Sequence, residues 1–184
     1  MPRRRYLFDL PDRFTAGTVG EPGSRTFFLQ ARDGDRLVSV ALEKVQVAVL
    51  ADRLSDLLDE LGNRGIALVE PEASTPDGAP LDEPLREAFR AGTLTLGWDG
   101  DDGVVLVEAL AASDEDDDEG DDPPPDDEDG PDVLRVRLSP TAARTFVERA
   151  VRVVGSGRPP CPLCGQPLDP MGHICPRRNG QYVN

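Results

Sequence analysis

Residues 26–42 read Thr26-Phe-Phe-Leu-Gln-Ala-Arg-Asp-Gly-Asp-Arg-Leu-Val-Ser-Val-Ala-Leu42, and this stretch decides the fold class. Its central Asp33-Gly34 dipeptide is typical of a hairpin turn, and apolar residues alternate on both sides of it. Alternation with a period of two places every second side chain on one face of a strand. The stretch therefore predicts two antiparallel strands, Thr26–Arg32 and Arg36–Leu42.

The hydrophobic period changes directly after this hairpin. Apolar residues recur at i, i+3 and i+4 from Val47 to Leu61, which predicts an amphipathic helix. A second helix is predicted from Pro140 to about Val154, because Ser139 is a favourable N-cap and proline suits the first helical position. Each helix has one apolar stripe, which we expect to pack on a sheet.

Further alternation predicts strands on both sides of these helices. The order strands–helix, strands–helix predicts an α+β fold in which two helices pack on an antiparallel sheet. A brief helix is also predicted around Pro84–Arg90. The remaining strands are predicted at Tyr6–Leu10, Phe14–Val19, Leu94–Trp98, Val104–Leu110 and Val133–Leu138.

Acidic residues are concentrated in one segment of the chain. The net charge of the 184 residues is −15, and 12 of the 35 acidic residues lie in Asp114–Asp129. Because like charges repel and Pro123–Pro125 blocks a helix, residues 113–132 are predicted to form a disordered acidic loop between two strands. We interpret this loop as a tolerated insertion, with a lure for a basic partner or a divalent cation as the alternative. The predicted body then covers residues 1–155, and residues 156–184 form a linker and a tail.

Composition argues against several classes of protein. No apolar run approaches the roughly 18 residues of a membrane-spanning helix, so no membrane partner is expected. No apolar run follows Arg3–Arg5, so we do not expect a secretory signal. Outside Asp114–Asp129 the net charge is only −3, which argues against nucleic-acid binding through bulk charge.

The tail contains every cysteine of the chain and its single histidine. Cys161 and Cys164 have the spacing of a zinc knuckle, and Gly165 allows the backbone to turn around a metal. His173 and Cys175 follow at i and i+2, which in an extended segment places both side chains on one side. These four residues supply three thiolates and one imidazole, a complete tetrahedral set that favours zinc.

Two alternatives to a zinc site remain open. A redox dithiol at Cys161 and Cys164 is disfavoured because Gly165 and Pro167 follow in place of a helix. A disulfide leaves one cysteine odd and the histidine unexplained. Since four protein ligands leave no coordination position for water, the set favours a structural metal over a catalytic one. We therefore predict a small zinc ribbon that depends on its metal for folding.

A second candidate site lies near the N-terminus. Its glycine-rich loop has the composition to expose backbone N–H groups to a phosphate, and charged residues precede it. The loop does not match a Walker or Rossmann fingerprint, and glycines at a solvated strand turn are the alternative interpretation. The residues predicted to line this ligand pocket are Asp9, Asp12, Arg13, Gly17, Gly20 and Gly23.

Several segments together carry a resemblance that covers nearly the whole chain. They are Phe8-Asp-Leu-Pro-Asp-Arg-Phe14, Ala16–Gly20, Arg25–Ala31, Val40–Val47, Cys161-Pro-Leu-Cys-Gly-Gln-Pro-Leu-Asp-Pro170, Gly172–Arg177 and Asn179-Gly180. They resemble an uncharacterised actinobacterial family, a domain of unknown function that is typically encoded with a histidine-phosphatase-like protein and a lipid-kinase-like protein. The resemblance implies a cytoplasmic bacterial protein that shares a pathway with those two companions, and it implies no established activity. The acidic run departs from the family's pattern.

Three functions are carried forward as hypotheses. No Ser/His/Asp or Cys/His catalytic set can be assembled, because the only histidine and all cysteines are assigned to the metal. We therefore expect a non-enzymatic adaptor whose ribbon docks a protein partner. The alternative is an enzyme or regulatory subunit that acts on a phosphorylated small molecule through the N-terminal pocket. The third hypothesis is nucleic-acid binding through the ribbon, helped by Arg177, Arg178 and Arg3–Arg5.

Overall fold

The computed structural model describes residues 3–66, 76–113, 130–157, 161–165, 168 and 175. Seven strands and two helices lie among these residues. In chain order they are β1 (Arg5–Asp9), β2 (Arg13–Val19), β3 (Thr26–Asp33), β4 (Arg36–Leu42), α1 (Lys44–Asn63), β5 (Glu87–Asp99), β6 (Val104–Ala111), β7 (Val133–Leu138) and α2 (Pro140–Gly155).

All seven strands form one sheet with the order β1-β7-β6-β5-β4-β3-β2. Within it, β2–β3–β4 and β5–β6–β7 are two antiparallel meanders, and a helix follows each of them. The predicted hairpin is confirmed, because β3 and β4 pair from Phe27↔Leu42 to Asp33↔Arg36. The α+β class and the two helices are confirmed as well.

The sheet is mixed, so the prediction of an antiparallel sheet is wrong. Parallel pairing joins β4 to β5 and β1 to β7. The 20 residues of α1 span about 30 Å, which is enough to return the chain so that β5 starts beside Ser39 and runs in the direction of β4. Alternation along one segment indicates a strand, but it does not indicate which neighbour the strand pairs with.

The segment before the second meander also differs from the prediction. A brief helix around Pro84–Arg90 is wrong, because β5 already begins at Glu87. In this register Glu87 pairs with Ser39 and Phe89 pairs with Val40. The edge of β4 supplies backbone partners to this segment, and tertiary pairing of this kind overrides a weak local helix preference.

The sheet is strongly curled. Its two outermost strands, β1 and β2, are separated along the chain only by Leu10–Asp12. In a flat sheet of seven strands these edges would lie about 29 Å apart, whereas four backbone steps reach about 14 Å at most. The end of β1 therefore lies close to the start of β2, and the β3–β4 hairpin contacts this region: the Gly34 amide donates to Asp12 Oδ2 at 2.9 Å, and Arg36 Nη2 donates to the carbonyl of Leu7 at 2.9 Å.

One apolar core joins the sheet to both helices. The ring of Phe14 stacks on that of Phe146 with centroids 4.7 Å apart, and Phe146 is fully buried. The hydroxyl of Ser139 accepts a hydrogen bond from the Ala142 amide at 3.2 Å, which confirms the predicted N-cap. The buried stripe of α1 consists of Val47, Leu50, Ala51, Leu54, Leu58 and Leu61, and that of α2 consists of Ala143, Phe146, Val147 and Ala150.

Parts of the predicted organisation lie outside the described residues. Residues 114–129 contain most of the predicted acidic loop, and most of the tail from 158 onward is also outside, so both remain predictions. No helix in the described part of the chain combines the length and the apolar character needed to cross a bilayer.

Candidate metal centre

The loop that begins at Cys161 is a tight turn. The amide of Gly165 donates to the carbonyl of Cys161 at 2.8 Å. Gly165 has a φ of 74°, in the left-handed region that glycine adopts without a steric penalty. This turn brings Cys164 back toward Cys161, which is the geometry that the CxxC spacing followed by glycine predicts.

Backbone amides of the same turn surround the sulfur of Cys161. The Leu163 amide nitrogen lies 3.4 Å from the Cys161 Sγ. Hydrogen bonds from the amides of Leu163 and Cys164 hold the pKa of the Cys161 thiol below its ordinary value. The thiolate is the form that binds metal, so the turn favours the ligand state of this residue.

The third cysteine joins this turn from 14 residues further along the chain. The Sγ atoms of Cys161, Cys164 and Cys175 all lie within 4.8 Å of one another, and Cys161 Sγ and Cys175 Sγ are 4.0 Å apart. Two ligand sulfurs of a tetrahedral zinc site lie about 3.8 Å apart, given a Zn–S bond of about 2.3 Å. A disulfide requires about 2.05 Å, and none of the three cysteines forms one.

The chemistry of this donor set fits a soft or borderline metal ion. Cys161 and Cys175 are each 6% exposed, and Cys164 is half-buried. Three thiolates in one cluster select zinc or another thiophilic ion over hard cations such as magnesium or calcium. His173 lies outside the described residues, so its place in the site remains a prediction. The cluster is therefore able to hold a metal ion through three sulfur ligands.

Arg13 of the predicted N-terminal pocket is fully engaged in contacts within the protein. Its guanidinium forms a bidentate pair with Asp77, at 3.0 and 2.8 Å, and a hydrogen bond of 2.8 Å to Asp82. It also donates to the carbonyls of Ala79 and Pro80 at 3.0 and 2.9 Å. All five N–H donors of the Arg13 guanidinium are therefore occupied. These hydrogen bonds hold the segment from Asp77 to Asp82 against the start of β2.

Buried Gln30, on the neighbouring strand β3, forms hydrogen bonds to the same segment. Its side-chain oxygen accepts from the Asp82 amide at 2.7 Å, and its nitrogen donates to the Asp82 carbonyl at 2.9 Å and to Ser39 Oγ at 3.0 Å. Gln30 is 1% exposed, and each hydrogen bond offsets the cost of burying a polar group. Arg13 and Gln30 thus hold residues 77–82 against the sheet.

The six residues of the predicted pocket have different surroundings. Asp12 and Arg13 line a cavity of about 430 Å³, whereas Gly23 lines another cavity of about 200 Å³. A side chain at Gly17 would lie 2.6 Å from Leu81, and Asp9 pairs with Arg137 at 3.0 Å. Gly20 has a φ of 103° in the turn that follows β2. Of the six residues, only the sequence neighbours Asp12 and Arg13 line the same described cavity, and a ligand role for the six residues remains a prediction.

Sequence reasoning missed the partners of Arg13. Burial acts to raise the pKa of Asp77, but hydrogen bonds from Arg13 and Thr15 and the charges of Arg13 and Arg149 lower it overall. Burial lowers the pKa of the Arg149 guanidinium, and the charge of Asp77 partly offsets that effect. Asp77 is 64 residues from Arg13 in the chain, so no local motif links them.

The fold and the cysteine cluster together define a class: an α+β protein with a mixed, curled sheet and a C-terminal cysteine site suited to a metal ion. Its family follows from a match to the family model DUF3090, a protein of unknown function, over residues 6–175. The chain belongs to this family, which confirms the expectation of an uncharacterised domain. No curated protein and no solved structure matches the chain.

Proposed function

We propose that this chain is a zinc-binding protein whose metal orders its C-terminal tail. The observation that carries the proposal is the convergence of three sulfur atoms within 4.8 Å of one another. His173 is the fourth ligand, since it is the only histidine and lies two residues before Cys175. A site of three thiolates and one imidazole is closed, so the zinc has a structural role.

The function that we attach to this site is docking of a protein partner. Leu163 lies between the first two cysteine ligands and is 51% exposed. A metal-fixed turn presents this apolar side chain to a partner at a low cost in conformational entropy. The expected partners are the histidine-phosphatase-like and lipid-kinase-like companions that the family resemblance implies, which makes the protein a non-enzymatic adaptor.

Cobalt(II) substitution tests the ligand set. We expect the wild-type chain to bind one equivalent and to give the intense visible and near-ultraviolet bands of tetrahedral cobalt thiolate. Cys164→Ser loses the sulfur-to-metal band because it no longer holds the metal, and His173→Ala shifts the visible bands because one nitrogen ligand is replaced. Leu163→Ala is the matched control in the same turn, and its spectrum stays that of the wild type. A wild-type spectrum typical of octahedral cobalt contradicts the proposal.

A pull-down with each purified companion protein tests the docking role. The zinc-loaded wild type is expected to retain a companion, and Cys164→Ser to lose it together with the metal. Leu163→Ala separates the two effects, because it keeps the metal and weakens retention at least fivefold. If the zinc-loaded wild type retains neither companion, the adaptor role with these partners is wrong, although the metal site stands.

A further inference from the structure

Strand β5 changes partners along its length. It pairs with β4 only from Glu87 to Arg90, whereas its pairing with β6 continues to Asp99. In the described part of the chain, Thr93–Asp99 therefore has a strand neighbour on one side only. In an antiparallel pair, every second residue directs its N–H and C=O away from the partner. This half of β5 thus presents backbone donors and acceptors to the open side.

A bulge separates the two halves of β5. The register with β6 shifts between Ala91 and Thr93. A Cβ atom at Gly92 would lie 2.8 Å from the Cα of Ala112, so this position requires glycine for close approach of the chains. Strand β4 ends at Leu42, beside this bulge, and beyond that point no described strand pairs with this edge of β5.

The open edge faces helix α1 across a groove, which we call the β5 groove. Its volume is about 280 Å³. One wall contains Leu94 and Leu96 of β5, and the other contains Val45 and Val49 of α1. The two valines are 64% and 50% exposed, although they lie on one face of the helix at i and i+4. The groove is apolar and lies beside backbone that has no strand partner on this side among the residues that the structure describes.

Gln46 shows how the edge accepts a hydrogen-bond donor. From the first turn of α1, its side-chain amide donates to the carbonyls of Ala91 and Gly92 at 3.3 and 2.9 Å. A side-chain amide has the same donor chemistry as a backbone amide. The carbonyls at the start of the open edge are therefore oriented toward the groove, and an amide already pairs with them.

The groove fits a single extended strand better than a second copy of the chain. A second copy that paired through β5 would bring its own α1 along the same edge, where the first α1 already forms the opposite wall. Natural strand edges are protected by charges or proline, but Ala91–Trp98 contains neither. Among the described residues that line the groove, the only charged side chain is that of exposed Arg53.

We propose that the β5 groove binds an extended peptide segment of a partner protein by strand addition. The peptide pairs with the open edge of β5, places apolar side chains between Leu94 and Val49 at alternate positions, and directs a carboxylate toward Arg53. This mode takes its affinity from main-chain hydrogen bonds and its specificity from pockets for alternate side chains. The proposal does not rest on the metal site.

Selection from a random 12-residue peptide display library on the full chain tests this inference. The enriched peptides are expected to alternate apolar and polar residues and to carry an acidic residue. Val49→Arg places a charged side chain in the groove and weakens binding of these peptides at least tenfold. Val45→Arg serves as a second variant. Val151→Arg is the matched control, since this α2 valine is 55% exposed and does not line the groove.

Amide hydrogen exchange gives the readout specific to strand addition. A bound peptide protects every second amide of Gly92–Trp98, the set that points away from β6, and leaves the other set unchanged. Three results overturn the proposal: no enriched peptide, peptides whose binding Val49→Arg leaves unchanged, or binding that does not protect these amides. A concentration-dependent dimer that Val49→Arg abolishes assigns the groove to a second copy and overturns it as well.

Discussion

The body and the C-terminal tail differ in what they bury. Between β1 and α2, aromatic and aliphatic side chains from all seven strands and both helices form one core, with Phe146 and Leu29 fully buried. In the described residues of the tail, the buried side chains are those of Cys161 and Cys175, and Leu163 is 51% exposed. Apolar burial stabilises the body, whereas the few described residues of the tail contain a sulfur cluster and no comparable group of buried apolar side chains.

From this difference we predict that two sources of order act in one chain. Burial of apolar surface contributes about 25 cal/mol per Å², so the many buried side chains of the body stabilise it without a metal. A short segment that lacks such a core requires a metal or another cross-link to hold a fixed conformation. The body and the tail should therefore respond differently to the same perturbation, and the predictions below use that contrast.

Removal of the metal gives the largest expected effect. Structural zinc contributes about 10–16 kcal/mol in small zinc-binding peptides, so a strong chelator should unfold the turn at Cys161–Gly165. The amides of this turn then exchange freely with solvent, while those of β6 keep their protection. Hydrogen exchange with and without chelator measures both regions. Equal loss of protection in β6 would show that the body also depends on the metal.

Truncation of the central core aromatic should destabilise the body and leave the metal site in the tail unchanged. Phe146→Ala removes the ring that stacks on Phe14, and such a cavity costs about 3–5 kcal/mol. Denaturant unfolding of the body measures this loss, and the zinc content stays that of the wild type. Val151→Ala is the control, because its exposed side chain contributes less than about 0.5 kcal/mol. Loss of zinc in the Phe146 variant contradicts independence of the two regions.

Removal of the Arg13 guanidinium should have a smaller effect within the body. Arg13→Met removes five hydrogen bonds and the cation that Asp77 and Asp82 share, although Arg32 still lies 3.5 Å from Asp82, and we expect a cost of about 2–3 kcal/mol. Arg64→Met removes an exposed pair with Glu60 and costs less than about 1 kcal/mol. Denaturant midpoints of both variants measure the difference. Equal midpoints would show that the Arg13 contacts do not hold residues 77–82 in place.

The pH dependence of stability should show the smallest effect. The folded protein holds the pKa of Asp77 below its ordinary value of 3.8, so the unfolded chain binds the proton more readily. The contribution of Asp77 to the free energy of unfolding is therefore complete above its ordinary pKa, and it is lost as the pH falls through the folded pKa. The free energy of unfolding, measured from pH 6 to pH 3, should decrease less steeply in Asp77→Asn than in the wild type. Parallel curves contradict the assignment.

The sequence allows the local elements of the body to be predicted well. Asp33-Gly34 indicates its hairpin because the turn chemistry and the alternation act within a few residues. Ser139-Pro140 indicates the start of α2 for the same reason. The parallel pairing of β5 with β4 is not predictable in this way, because it depends on where a 20-residue helix returns the chain.

The two candidate sites also differ in how far apart their residues lie in the sequence. The cysteines of the metal centre are recognisable because Cys161 and Cys164 lie within one turn, and Cys175 follows within 14 residues. The contacts of Arg13 are hidden from the sequence, since Asp77 and Asp82 lie 64 and 69 residues away and belong to a segment without a motif. The open edge of β5 is hidden too, because it depends on which strand pairs with β5 and on where that strand, β4, ends.

Native mass spectrometry of the untagged full chain from zinc-replete cells tests the central claim most directly. The wild type should carry one zinc ion per chain, and Cys164→Ser should carry none at the same protein concentration. Leu163→Ala should match the wild type. A metal-free wild type with three reactive thiols would contradict the claim, reopen a redox role for Cys161 and Cys164, and return His173 to the residues that lack an assigned function.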